Sequence, residues 1–172
     1  MGGLNDCFKS WDEWATLANV KRLLRQYHTF KLELATIRLN TSLSGVTYDG
    51  MPHSITNVNG TEESLVNELA KEQRQRDLLT HQIAMVDGTL TTMHDIDDWT
   101  SYLATVIEYR YIKRWRVVKC CMKLGEQSYI KEQYDGTPLP KTTFNDHQNS
   151  ALLAFARIYP DRKQLIAEKV RS

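Results

Sequence analysis

Cysteine, proline and glycine are all scarce in this sequence, whose 172 residues include three cysteines, four prolines and eight glycines. The cysteine count is odd, and Cys120 and Cys121 are adjacent, which makes them a poor disulfide pair. This usage predicts a reduced, intracellular protein. No apolar run approaches the ~20 residues needed to span a bilayer, and the N-terminus lacks the pattern of a secretory signal. We therefore expect a cytoplasmic protein that makes no membrane contact.

Short catalytic motifs are also missing. The sequence contains no GxGxxG, GxxxxGK[ST], HExxH or GxSxG. An acidic cluster at residues 94–98 lies at a predicted helix start, where carboxylates cap a helix more often than they bind a cation. The sequence thus predicts a non-enzyme with no catalytic residue, metal or cofactor, although a hydrolase or transferase site that follows no short motif stays open.

The net charge of +1 conceals two regions of opposite sign. Residues 1–108 contain 9 Lys/Arg and 15 Asp/Glu, a balance of −6, whereas residues 109–172 contain 13 and 6, a balance of +7. A basic segment joined to an acidic one indicates that the basic part meets a polyanion such as nucleic acid. Two solvated helical faces that differ in charge by chance are the alternative interpretation.

The N-terminal half predicts two long helices, because few glycines or prolines interrupt it. The first covers about residues 10–40 and starts with a capping box at Ser10–Glu13. The second starts at Thr61, and the segment 41–61 between them is a Gly/Ser/Thr/Asn-rich flexible linker. The first helix carries an apolar stripe consisting of Val20, Leu23, Tyr27, Phe30, Leu34 and Ile37. The stripe of the second helix is interrupted by the polar residues Glu72 and Arg76 and consists of Leu65, Leu69, Leu79, Ile83, Val86 and Leu90. We predict a coiled-coil-like helical hairpin over residues 1–92 that makes the chain a homo-oligomer.

Residues 93–172 are predicted to form a second, all-helical domain. A helix capped by Asp97 or Asp98 runs toward Tyr111. The next helix covers residues 115–124 and stops at Gly125 in a left-handed conformation, and Cys120 and Cys121 are small core residues within it.

The last predicted helix runs from Pro140 to Tyr159 and follows a polar connection over residues 126–137. Its apolar face holds Phe144, Ala151, Leu152, Phe155 and Ile158. Together with the helix at 115–124 it predicts a helix-turn-helix whose second helix enters the DNA major groove. The expected base-contacting residues are Lys141, Thr142, Thr143, Asn145, Gln148 and Asn149, and the expected phosphate-contacting residues are Lys113, Arg114, Arg116, Lys119 and Lys123.

The stretch YRYIKRWRVVKCCMKLG, followed by PLPKTTFNDHQNSALLAFARIYP, resembles the ArpU/RinA group of phage-encoded transcriptional regulators. The resemblance is strongest over about residues 108–160 and looser over the N-terminal helices. It implies a C-terminal domain like region 4 of bacterial sigma factors and binding upstream of phage late or packaging operons. The sequence departs from the family pattern at two places that affect the angle at which the recognition helix docks on DNA. Pro140 stands where a Ser or Thr cap is expected, and the connection over residues 126–137 is long.

These observations lead to one functional hypothesis and two rivals. The hypothesis is a sequence-specific regulator in the bacterial host cytoplasm, which binds double-stranded DNA and activates a phage late operon through host RNA polymerase. The first rival is a DNA-packaging protein like a small terminase subunit. The second is a helical protein-interaction module without specific DNA binding.

Overall fold

The computed structural model describes residues 12–44, 59–135 and 137–167 of the chain, with side chains undescribed at 41–44, 59–65 and 132. Regular structure in these residues is entirely helical, which confirms the predicted all-α class. The helices are α1 (Glu13–Ser44), α2 (Asn59–Ile96), α3 (Asp98–Ile107), a π-helical segment (Glu108–Ile112), α4 (Val117–Gly125), α5 (Ser128–Tyr134), α6 (Lys141–Ile158) and α7 (Arg162–Leu165).

Both long helices are longer than predicted on the side of the linker. α1 continues to Ser44 and α2 already begins at Asn59, so the linker prediction of 41–61 was too wide, and residues 45–58 lie outside the described part. The start of α1 is capped by Asp12, whose Oδ1 accepts a hydrogen bond from the Ala15 amide at 3.1 Å. The predicted capping residue Ser10 lies outside the described residues.

The chain divides into two compact units. One contains the residues up to Tyr27 and from Met85 onward, and the other contains His28–Ala84. The first turns of α1 and the last turns of α2 therefore belong with the C-terminal helices, and within that unit the Tyr27 hydroxyl donates a hydrogen bond to Asp87. The functional boundary at residue 92 stays a prediction.

The apolar stripes match the structure in part. Val20 and Tyr27 are buried as predicted, but Leu24 is buried in place of Leu23, which is half-buried. In the unit formed by residues 28–84, Leu79 is buried whereas Leu69 is 58% exposed. An apolar stripe is buried only where another helix packs against it. The predicted coiled-coil-like association of these helices, within one chain or between copies, stays a prediction at Leu69.

The helices α3 and α6 pack along one another and form the centre of the C-terminal core. The predicted face of α6 is confirmed, since Phe144, Ala151, Leu152 and Phe155 are fully buried; Ile158 is half-buried. Asp97 caps α3 as predicted, because its side chain accepts a hydrogen bond from the Thr100 amide at 2.8 Å. The helix ends at Ile107, and the π-helical segment completes the path toward Tyr111.

The chain between α4 and α6 differs from its prediction. The segment 126–137 is not a plain polar connection, because it contains α5, whose Ile130 is buried. Gly125 does not end its helix in the left-handed region, since it is the last residue of α4 and the capping residue Glu126 has φ −81°. A side chain at Gly125 would instead collide with the backbone carbonyl oxygen of Thr137. Glycine is required here for a close approach of two backbones.

Candidate nucleic-acid interface

Two aromatic rings in contact, whose planes are tilted by 36°, form the base of the basic surface between the π-helical segment and α4. The centroids of Tyr109 and Trp115 are 4.6 Å apart. Two hydrogen bonds fix this part of the chain. The Trp115 amide donates to the Tyr109 carbonyl at 2.9 Å, and the side-chain Nη1 of Arg110 donates to the Trp115 carbonyl at 3.1 Å. Arg114 reverses the chain with φ 55°, a conformation that costs a non-glycine residue roughly 1 kcal/mol.

Two lysines lie over these rings. Lys113 Nζ is 4.7 Å from the Tyr109 centroid and 5.2 Å from that of Trp115, and Lys119 Nζ is 4.1 Å from the Trp115 centroid. Each distance falls within the range of a cation–π interaction. Both lysines remain exposed, so the rings orient their ammonium groups without removing them from solvent.

The other predicted phosphate-contacting residues are also exposed. Arg114 and Arg116 lie in the turn before α4. Lys123 is different, because its ammonium donates a 2.8 Å hydrogen bond to Glu126, and this contact raises the pKa of Lys123 above its usual value. The Glu126 carboxylate offsets part of the positive charge of Lys123, which makes Lys123 the weakest candidate for a phosphate contact among the five.

The helices α4 and α6 meet directly, although twelve residues separate Gly125 from Pro138. The Leu139 amide donates to the Cys121 carbonyl at 3.0 Å, and the contact between Gly125 and Thr137 brings the two ends of the intervening segment together. Burial raises the pKa of the Cys121 thiol, and the charge of Lys141 opposes this shift. The first residue of α6 therefore lies close to the buried face of α4.

The predicted base-contacting residues divide into two groups. Lys141, Thr142 and Asn145 are exposed on the first turns of α6. Thr143, Gln148 and Asn149 are half-buried, so part of each side chain is used in packing. The exposed group is confined to the start of the helix, which is the part that a recognition helix presents to base edges.

An aromatic cluster on the other side of α6 ties this helix to α3. The Tyr102 hydroxyl and His147 Nδ1 are 3.0 Å apart, and the His147 and Trp99 rings are nearly perpendicular at a centroid distance of 5.1 Å. Burial lowers the pKa of His147, and Asp146 opposes the shift. The folded state therefore favours the neutral imidazole.

This shift predicts that stability falls under mildly acidic conditions. Because the folded-state pKa of His147 lies below the unfolded value of about 6.5, its contribution is fully present above pH 6.5 and is lost as the pH falls below it. Urea unfolding between pH 5 and 8 should show a smaller decline for His147→Gln than for the wild type. His81→Gln, at an exposed position on α2, is the control and should leave the decline unchanged. If the stability of His147→Gln falls with pH as much as that of the wild type, His147 is not the group that causes the fall.

Sequence reasoning missed the ring pair and the aromatic cluster. Tyr109 and Trp115 are six residues apart across a helix boundary, a spacing that matches no helical period, whereas Trp115 and Lys119 are four residues apart. In the π-helical segment each hydrogen-bonded turn contains one residue more than in an α-helix, and this brings Tyr109 next to Trp115. A cluster of aromatic and basic residues in sequence was the available signal.

No family model, curated protein or solved structure matches the chain. Within the described ranges, no helix is long and apolar enough to cross a membrane. The same residues contain no group of three or more His, Cys, Asp or Glu side chains suited to holding a metal ion.

Proposed function

We propose that the protein is a sequence-specific DNA-binding regulator, in which α4 and α6 form a helix-turn-helix and the start of α6 reads the major groove. The supporting observation is the direct contact between these helices. Since Leu139 bonds to Cys121 and Thr137 touches Gly125, the chain enters α6 at the end of α4, as in a short turn, with α5 inserted as an excursion. The connection is longer than the turn of an ordinary helix-turn-helix, but its extra residues form α5 and do not separate α4 from α6.

The basic surface supports the same proposal. Four exposed cations, Lys113, Arg114, Arg116 and Lys119, precede or begin α4, and Lys141 begins α6. Two of them are held over rings, which lowers the conformational entropy that each must lose on binding a phosphate. Phosphate contacts fix the position of the protein, and Asn145 in the next turn of α6 can pair with an adenine edge.

The biological setting of this proposal rests on the resemblance to ArpU/RinA-type regulators. On that basis the protein activates a phage late operon by recruiting host RNA polymerase and acts as a homo-oligomer. In an oligomer, recognition helices from two subunits address two half-sites on one face of the duplex. The 58% exposed Leu69 on α2 supplies an apolar side chain for such an association.

Salt dependence of DNA binding tests the basic surface. Five phosphate contacts give a slope of about −4.5 in a plot of log K against log salt concentration. Lys119→Ala should weaken binding to all duplexes alike and reduce the slope by about 0.9. Lys21→Ala removes the same charge from α1 and should change neither quantity. Fluorescence anisotropy with a labelled duplex measures both. A slope near zero, or equal effects of the two substitutions, would overturn the proposal.

One observation favours a second candidate, a protein-interaction module. Val118 and Met122 are 72% and 51% exposed on α4, four residues apart and beside the basic residues. An apolar pair bordered by lysines suits an acidic amphipathic segment of another protein. If the protein is an interaction module, Val118→Ser should weaken its binding to an acidic partner protein. The wild type should then show no salt-dependent affinity for DNA.

A further inference from the structure

A cavity of about 350 Å³ lies between α3 and the start of α5. It is lined by Asp98, Ser101, Tyr102, Thr105, Gln127, Ser128 and Tyr129. This volume is at the lower end of the range for sites that bind small molecules. None of the lining residues is one of the cations of the basic surface, although Gln127 Nε2 donates a hydrogen bond to the Tyr109 hydroxyl at 3.0 Å.

One carboxylate lines the cavity. Among the described lining residues, Asp98 alone has an acidic carboxyl group, and none has a basic side chain. The neighbouring carboxylate of Asp97 is engaged by α3, because its two oxygens accept from the amide and the hydroxyl of Thr100, each at 2.8 Å. Capping of the helix therefore does not require Asp98, and a ligand that binds here meets a carboxylate.

Aromatic faces supply the second element of the cavity. The Tyr102 and Tyr129 rings are 5.7 Å apart, and the Trp99 ring lies 5.5 and 5.8 Å from them. Tyr129 is 48% exposed, so part of its ring is accessible. A carboxylate next to aromatic rings attracts organic cations, since the rings stabilise positive charge through their quadrupoles and bury the carbon body of the ligand.

We propose that this cavity binds a small organic ammonium compound, with its charge at Asp98 and its carbon body against Tyr129 and Tyr102. The Ser101 hydroxyl oxygen and the Gln127 side-chain carbonyl oxygen belong to residues that line the cavity, and each can accept a hydrogen bond from the ammonium group. The ligand would contact the same Tyr102 that bonds to His147 of α6. The proposal stands independently of DNA binding.

Titration with phenethylammonium, followed by the NMR signals of the Trp99 and Tyr129 side chains, tests the site. The matched neutral compound is 2-phenylethanol, in which a hydroxyl replaces the ammonium. We expect saturable shifts with phenethylammonium and binding about fivefold weaker with the alcohol. Asp98→Asn should remove this preference for the cation, and Tyr129→Ala should weaken binding of both compounds.

Asp95→Asn is the control, because it removes the same charge from an exposed position that does not line the cavity. It should leave both affinities unchanged. Equal binding of the two compounds by the wild type, shifts that do not saturate, or equal effects of Asp98→Asn and Asp95→Asn would overturn the proposal. DNA affinity enters none of these readouts, so failure here is distinct from failure of the proposed function.

Discussion

Gly125→Ala is expected to destabilise the protein by about 3 kcal/mol. The added Cβ would collide with the Thr137 carbonyl oxygen and would also lie 3.0 Å from the Thr137 carbonyl carbon and 3.3 Å from Pro138 Cα. All three are backbone atoms, so relief requires the start of α6 to move away from α4. The melting temperature should fall by roughly 6–12 °C. Thermal unfolding followed by circular dichroism measures this change.

Gly88→Ala is the matched control in α2. A Cβ at Gly88 has nothing within 4 Å, and the residue is exposed. There the substitution should stabilise the helix by about 0.5–1 kcal/mol, because alanine loses less backbone entropy on folding. Opposite signs at the two glycines support the close approach of α4 and α6. A stabilised Gly125→Ala protein would show that these backbones do not touch.

Asn145→Ala is expected to relax base preference at one position of the DNA site by about 1–3 kcal/mol. Asn145 is exposed on the second turn of α6, and its amide can pair with N6 and N7 of adenine. Loss of the amide should lower affinity for the preferred site and leave affinity for unrelated duplexes nearly unchanged. Competition between the preferred and an unrelated duplex in a mobility-shift assay measures the ratio of the two affinities.

Ser150→Ala provides the comparison on the same helix. Ser150 is exposed but lies five residues further along α6, on a different face from Asn145. It should leave the ratio of the two affinities as in the wild type. If Asn145→Ala lowers both affinities by the same factor, Asn145 contacts the sugar-phosphate backbone of the DNA and not a base.

Apolar periodicity explains why the helices were predictable. The face of α6 follows from Phe144, Leu152 and Phe155, whose spacing matches the helical repeat, and all three are fully buried. The position of Asp97 before an apolar block identified it as a cap in the same way. These signals are local, so one sequence is enough to read them.

Features that depend on distant parts of the chain were not predictable in this way. Leu69 has the spacing of a buried residue, but its burial depends on whether another helix faces it. Gly125 follows an apolar block, which is typical of a helix end, yet the reason for glycine is the approach of Thr137, twelve residues later. The helix α5 was hidden by a polar composition, because it buries Ile130 among otherwise exposed or half-buried described side chains.

The proposed function requires that α4 and α6 bind DNA with sequence specificity. Selection of duplexes from a random-sequence library at 50 and 200 mM salt tests this requirement. We expect that one sequence motif is enriched at both salt concentrations, and that Asn145→Ala weakens the base preference at one position of that motif. Uniform recovery of duplexes that disappears at the higher salt, or no recovery at either, would contradict the proposed function.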